Sequence, residues 1–247
     1  MGVKKVQDYD LKVYEEVEAW KRRITKRSGI FQRLSKKTQQ QINDWVPDKV
    51  HAVLTESVKA MVKATLFGSQ VTTKQEKFKA VTLAEKDEAV RRKITVYQKM
   101  AAIEGAGTGA GGILAGLADF PLLLSIKMKL LFEISSIYGF DPAAYTERLF
   151  ILHVFQLAFS SDETRHQTLA VVENWNEEKN VLKDMDWRQF QQEYRDSIDF
   201  AKLLQIVPGI GAAVGAIANY RLLKHLGETA MNAYRLRIIA TPPPTIF

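Results

Sequence analysis

Residues 105–126 read GAGTGAGGILAGLADFPLLLSI and carry a single charge, Asp119. The run is about as long as a bilayer span, yet Pro121 divides it into a glycine-rich and a leucine-rich piece, each nearer the length of a buried or re-entrant helix. A second segment, 206–223, IVPGIGAAVGAIANYRLL, repeats this character and is broken by Pro208. Glycines recur four residues apart as Gly105/Gly109, Gly107/Gly111, Gly112/Gly116 and Gly211/Gly215. Residues so spaced share one helix face, and a face without Cβ atoms lets a second backbone approach closely. The pattern therefore points to two tightly packed helices. Gly107, Gly109 and Gly112 also spell GxGxxG, but a helical pattern rather than a strand precedes them and no Lys-Ser or Lys-Thr follows, so helix packing is favoured over a nucleotide site.

The remainder reads as helix. Asp10 is a good N-cap for Val13, Val17, Trp20 and Ile24, a helix ending near Gly29. A short helix is expected over 35–45. Pro47 opens another, with Val50, Val53, Leu54, Val58, Met61, Val62 and Leu66 in one stripe before Gly68, and a loop follows over 69–79. From Thr82 a helix runs through Val90, Ile94, Tyr97, Met100 and Ala101 until the glycines begin. Pro121 starts the next, which stops at Tyr138-Gly139. Asp141 caps and Pro142 opens a helix whose Tyr145, Leu149, Leu152, Val154, Phe155 and Leu157 are apolar nearly all round, which requires burial. Ser161 or Asp162 begins a polar helix through Leu169, Val172 and Trp175 to about Lys179, and Asp186 another to Leu204. Leu226, Ala230, Tyr234 and Ile238 form the last, beyond the second glycine segment, and the prolines of 241–247 cannot continue it. Alternating strands joined by Asn-Gly or Asp-Gly turns are missing. The expectation is an all-α fold, a single domain of about eight helices over 1–247. It has a basic N-terminal part (1–68), apolar glycine-rich core segments (105–138 and 206–223) as central helices, and a short Pro-rich tail (241–247).

With no cysteine in 247 residues, disulfides, thiolate nucleophiles and sulfur-based zinc sites are excluded. The net charge of +7 is uneven. Residues 1–99 hold 22 Lys and Arg against 12 Asp and Glu, and the rest 13 against 16. The first ten residues lack the apolar run of a secretory signal, and Val6 stands where a myristoylation motif needs Ser or Thr. The stretch WKRRITKRSGIFQRLSKK interleaves Trp20 and Phe31 with Lys21, Arg22, Arg23, Lys26, Arg27 and Arg33. Cations at lipid headgroups with aromatic rings at the acyl boundary are the signature of an anionic membrane surface. The competing reading is a solvated basic helix whose apolar side joins the core. Nucleic acid ranks lower, because no nucleic-acid fold or stacking motif accompanies the charge.

The segments GAGTGAGGILAGLADFPLLLSIKMKLLFEISSIYGFDP, TERLFILHVFQLA and VPGIGAAVGAIANYRLLKHLGETAMNAYRLR, with the early Tyr14-Glu15 and Trp20, together resemble the EcsC protein family. The resemblance covers most of the chain, leaving out 69–79 and the tail. It implies a mostly bacterial, largely helical family named for a companion of an ABC-transporter system, and it carries no catalytic assignment.

Glu104, Asp119, Glu133 and Asn219 lie in or beside apolar helical segments, where a charge must find a partner or lose its proton. Glu104, Asp119 and Glu133, with His153, could form an acid/base or metal site, and a hydrolase or metal-dependent enzyme is the alternative reading. No metal-ligand spacing such as HExxH supports it, so no metal and no cofactor is assigned. Internal pairing with Arg148 or Arg221 is the competing account. Of the four histidines, His51, His166 and His225 read as surface positions, and His153 as a hydrogen-bonded core residue. The favoured function is binding. The expectation is a peripheral protein at the cytoplasmic face of a membrane, docked by its basic N-terminal helices and supporting a membrane protein such as a transporter.

Overall fold

The computed structural model describes residues 2–26, 48–67, 82–108, 120–160, 162–184 and 212–239. Among them are eight helices and no strand: α1 (Gly2–Thr25), α2 (Asp48–Phe67), α3 (Leu83–Thr108), α4 (Phe120–Tyr138), α5 (Tyr145–Phe159), α6 (Asp162–Glu173), α7 (Trp175–Asp184) and α8 (Ala212–Ile238). No helix among the described residues is long and apolar enough to cross a membrane.

The spine is the antiparallel pair α3 and α8. Asp87 near the start of α3 meets Arg235 near the end of α8, and further along Gln98 Nε2 donates to the Tyr220 carbonyl at 3.4 Å. Helix α4 also returns antiparallel to α3, with Tyr138 beside Asp87 and Glu133 beside Tyr97. Helix α5 runs antiparallel to α8, from Glu147 beside Tyr234 to Ala158 beside His225. Helix α1 lies outside this core and parallel to α3, and α6 packs on α1 through Lys21 and Glu173 at 2.7 Å.

Local chemistry explains several boundaries. Thr82 and Glu85 form a capping box, the Glu85 N–H donating to Thr82 Oγ1 at 3.3 Å and the Thr82 N–H to Glu85 Oε2 at 3.1 Å. Helix α4 ends in a Schellman motif at Gly139, whose φ of 95° suits a residue without Cβ; the Phe140 N–H reaches the Ser135 carbonyl and the Gly139 N–H that of Ser136. The stop at Tyr138-Gly139, the N-terminal place of Pro121 and the burial of α5 agree with the sequence reading.

Other boundaries differ from it. Helix α1 starts at Gly2 rather than after Asp10, because Tyr9 is tied to Asp87 by a 2.7 Å hydrogen bond that fixes the early turns. Pro142 precedes its helix: Asp141 Oδ1 accepts from the Ala143 N–H at 2.9 Å, closing a turn before α5 begins at Tyr145. The helix expected over 162–179 is two, broken at Asn174, and the break delivers Trp175 edge-on to Phe150 at 5.0 Å. Helix α3 continues through Gly105 and Gly107 to Thr108, and α8 runs unbroken through Gly215 and Gly227. Glycine costs about 1 kcal/mol per helical residue, which a long packed helix absorbs. The short helix at 35–45, the loop at 69–79, the helix from Asp186 and the Pro-rich tail lie outside the described residues.

Gly227 is required by packing. A Cβ there would stand 2.6 Å from Cγ1 and 2.8 Å from Cδ1 of the buried Ile94. Gly227→Ala should destabilise the protein by about 1–3 kcal/mol despite alanine's better helix propensity, and Ile94→Val should recover part of the loss. Thermal melts of the single and double variants check this; an alanine variant at or above wild-type stability contradicts it.

Candidate functional site

Asp87 lies one turn from Leu83 and Val90 on the buried stripe of α3, with 0% of its surface exposed. A carboxylate there needs several donors. It has four: Tyr9 Oη at 2.7 Å, Tyr138 Oη at 2.6 Å, and Arg235 Nε and Nη2 at 3.0 and 2.6 Å. Arg235, itself buried, also donates to Glu16 at 2.9 Å. A second buried carboxylate, Glu147 on α5, accepts from Ser135 Oγ at 2.9 Å, Tyr234 Oη at 2.5 Å and Arg237 Nη1 at 2.8 Å. The two networks touch where Tyr138 and Tyr234 stack at 5.5 Å, and the Arg237 guanidinium lies over Phe140 at 3.8 Å and Phe150 at 4.1 Å.

Burial first, and then the carboxylates beside them, push the hydroxyls of Tyr138 and Tyr234 well above the usual tyrosine range. Both stay protonated donors. With each carboxylate oxygen already engaged, this cluster has neither an idle base nor an open coordination position, and its chemistry is that of a tie among α1, α3, α4, α5 and α8.

The carboxylates singled out from sequence fare differently. Glu133 is held by Tyr97 Oη at 2.7 Å and Lys93 Nζ at 2.9 Å, not by Arg148 or Arg221. Arg148 instead donates to the Leu66 and Pro142 carbonyls at 3.0 and 3.3 Å, fixing α2 to the turn before α5, while Arg221 is exposed. Asp119 and the side chain of Glu104 lie outside the described residues. Among the described residues no three His, Asp or Glu are grouped to hold a metal ion. His153 is a core residue bonded through Nδ1 to Gln156 Oε1 at 3.0 Å, and burial lowers its pKa to about 4. Both termini of the Asn219 amide are buried with no hydrogen-bond partner among the described residues.

The basic end of α1 is divided by burial and pairing. Trp20, expected at an acyl boundary, is in the core at 4% exposure, and Lys21 is paired with Glu18 and Glu173. Arg22, Arg23 and Lys26 are exposed. Arg27, Phe31 and Arg33 lie outside the described residues, as do Gly109, Gly111, Gly112, Gly116 and Gly211; Gly105, Gly107 and Gly215 are on helices.

Because α1 and α3 run together and α8 runs against them, the end of α1, at Arg23 and Ile24, lies beside Gln98 of α3 and Leu222 and Lys224 of α8, about ten residues short of where α3 ends and α8 begins. Large apolar side chains are exposed at several places: Val96, Met100, Leu122 and Tyr220 on α3, α4 and α8, Val6, Phe67 and Ile238 toward the Asp87–Arg235 end, and Val181 on α7. On α3 and α8 the cations Arg92, Lys93, Lys99, Arg221 and Lys224 are exposed, of which Arg92, Lys93 and Lys224 pair with Glu88, Glu133 and Glu228. Two grooves open beside α1. One of about 580 Å³ runs between α1, α3 and α8, and another of about 490 Å³ lies between α1, α5, α6 and α8.

The sequence matches the model of the EcsC protein family over residues 11–239. The chain belongs to the EcsC family. It is 54% identical over 232 residues to Protein EcsC of Bacillus subtilis (strain 168), covering 94% of this chain and 97% of that protein. It is also 36% identical over 143 residues to Uncharacterized protein YdbA of the same organism, covering 56% of this chain and 53% of that one. No solved structure matches. The match to the EcsC model includes the buried network from Glu16 to Arg237 and both grooves, but not Tyr9.

Arg235→Met should cost about 3–5 kcal/mol, because it strands Asp87 in the core without a counter-charge. Chemical denaturation measures this; a loss under 1 kcal/mol would show that Asp87 is neutralised otherwise. His153 gives a pH window. Its folded pKa of about 4 lies below the 6.5 of an open chain, so as pH falls the unfolded state takes up the proton first. Stability is lost between about pH 6.5 and 4, by about 3 kcal/mol in all. His153→Phe should flatten that part of the stability–pH curve, and an unchanged slope contradicts the assignment.

Proposed function

We propose that this EcsC-family protein binds the anionic surface of a membrane at its cytoplasmic face, as an accessory to a membrane protein. The observation that supports the reading is that Arg22, Arg23 and Lys26 on α1 are exposed, with Lys99 and Arg221 on α3 and α8, while Val96, Met100, Leu122 and Tyr220 are exposed apolar side chains on α3, α4 and α8. Apolar groups that enter the acyl boundary and cations that meet headgroups are the two components of peripheral binding, each cation near the surface contributing about 1 kcal/mol. The described helices have no membrane-crossing segment, which fits attachment to one leaflet. Trp20 is buried and Lys21 is paired with Glu18 and Glu173, so the contact falls to Arg22, Arg23 and Lys26 rather than to the apolar side of α1.

Purified protein mixed with vesicles should sediment with phosphatidylglycerol-containing membranes at low salt, stay in the supernatant with phosphatidylcholine alone, and be released at high salt. Arg22→Glu with Lys26→Glu should weaken binding at least tenfold without lowering the melting temperature. Equal binding to neutral vesicles, or an unaffected double variant, contradicts the reading.

A further inference from the structure

We infer that residues 20–25, the C-terminal end of α1, form a membrane-inserting element that leaves the bundle at an anionic lipid surface and places Trp20 and Ile24 at the acyl boundary, while the rest of α1 stays attached. This rests on the membrane-surface reading above and adds to it a change of conformation. Helix α1 is held unequally along its length. Nearer its start it is tied to buried groups: Tyr9 Oη donates to Asp87 at 2.7 Å, Glu16 accepts from Arg235 at 2.9 Å, and Val13 and Val17 are in the core. Over residues 20–25 the hold is weaker. Lys21 pairs with Glu173 at 2.7 Å, but both side chains are more than a quarter exposed, where water competes for an ion pair. Arg165 reaches the Ile24 carbonyl at 3.4 Å, and the packing rests on the ring of Trp20 and the half-buried Ile24.

Both flanks of this end are open. The groove of about 580 Å³ reaches Trp20 and Arg23 from the side of α3, and that of about 490 Å³ reaches Trp20, Arg23 and Ile24 from the side of α5. Release of residues 20–25 strands no buried charge, because the deep ties lie elsewhere: Asp87 keeps Tyr9, Tyr138 and Arg235, Arg235 keeps Glu16 and Asn232, and Glu147 is held by Ser135, Tyr234 and Arg237. The released residues have the composition of an interfacial helix. Trp20 and Ile24 lie one turn apart on the apolar stripe, and Arg22, Arg23 and Lys26 lie off it, exposed and in no ion pair among the described residues. In the closed arrangement only these cations reach a membrane. Headgroup phosphates that take the place of Glu173 beside Lys21 remove the ion pair holding this end, and the ring of Trp20 and the side chain of Ile24 then exchange protein contacts for the acyl boundary.

The chain has no cysteine, so a label can be placed at one chosen position. Ile24→Cys and, as a control on the attached part of the helix, Lys12→Cys are each coupled to a nitrobenzoxadiazole dye and mixed with phosphatidylglycerol vesicles whose acyl chains carry bromine. About half or more of the emission at position 24 should be quenched, and under about a tenth at position 12, in proteins that melt as the wild type does. A second measurement does not depend on that label. Lys21→Cys with Glu173→Cys, joined by a short bis-maleimide, should bind the vesicles at least fivefold more weakly than the same variant capped singly with N-ethylmaleimide. Sedimentation with the vesicles without quenching at position 24 overturns the release and leaves surface docking standing, as does undiminished binding by the cross-linked form. Equal quenching at both positions overturns the division of α1 into an attached and a released part. No sedimentation with anionic vesicles removes both the release and the surface reading.

Discussion

The contact between Asp87 and Arg235 joins residues 148 positions apart inside the core, and the rest of the bundle is arranged around it. Taking both ions out of water carries a penalty of several kcal/mol each, which their attraction offsets only when the remaining hydrogen-bonding capacity is filled. Tyr9 and Tyr138 fill it on Asp87, and Glu16 and Asn232 on Arg235. Because those partners come from α1, α3, α4 and α8, satisfying one buried pair fixes the register of four helices. The neighbouring Glu147 repeats the arrangement for α5, with Tyr234 and Arg237 supplied by the same end of α8.

The opposite end is built otherwise. There α3 ends at Thr108, α4 starts at Phe120 and α8 starts at Ala212, each beside a glycine-rich stretch. No comparable polar tie joins the described residues at that end, and apolar side chains are left facing outward among cations. The polar ties that hold the described helices in register are thus concentrated at the Asp87–Arg235 end, while exposed apolar side chains occur at both ends. The grooves along α1 lie between the two, bounded by Arg235 on one side and by Ile24 and Leu222 on the other.

The helical character of the chain was legible because apolar residues recur at the helical period and few breakers interrupt them. Gly139 and Thr82 marked boundaries because their chemistry is local. Boundaries set by distant contacts were not legible: α1 begins before Asp10 because Tyr9 finds Asp87, a partner 78 residues away. The central cluster was missed although a signal existed. Asp87 sits on the stripe of Leu83, Val90 and Ile94, and Glu147 lies within a helix read as apolar all round. A carboxylate on a core stripe calls for buried donors, and the Tyr-Arg-Leu-Arg run at the end of α8 supplies them. The carboxylates that stand out in the sequence are instead those in or beside the apolar segments, of which Glu133 is paired with Lys93 and Tyr97. Trp20 was misplaced because a ring among cations reads alike whether it faces lipid or core.

Hydrogen–deuterium exchange with and without phosphatidylglycerol-containing vesicles addresses the division of the molecule into a pinned end and a contacting end. The account predicts slower exchange on vesicle binding in 20–26, 96–101, 120–124 and 219–224, and no change in 85–90, 134–139 and 231–237. Protection confined to the Asp87–Arg235 end, or spread evenly along the helices of a vesicle-bound protein, would contradict it.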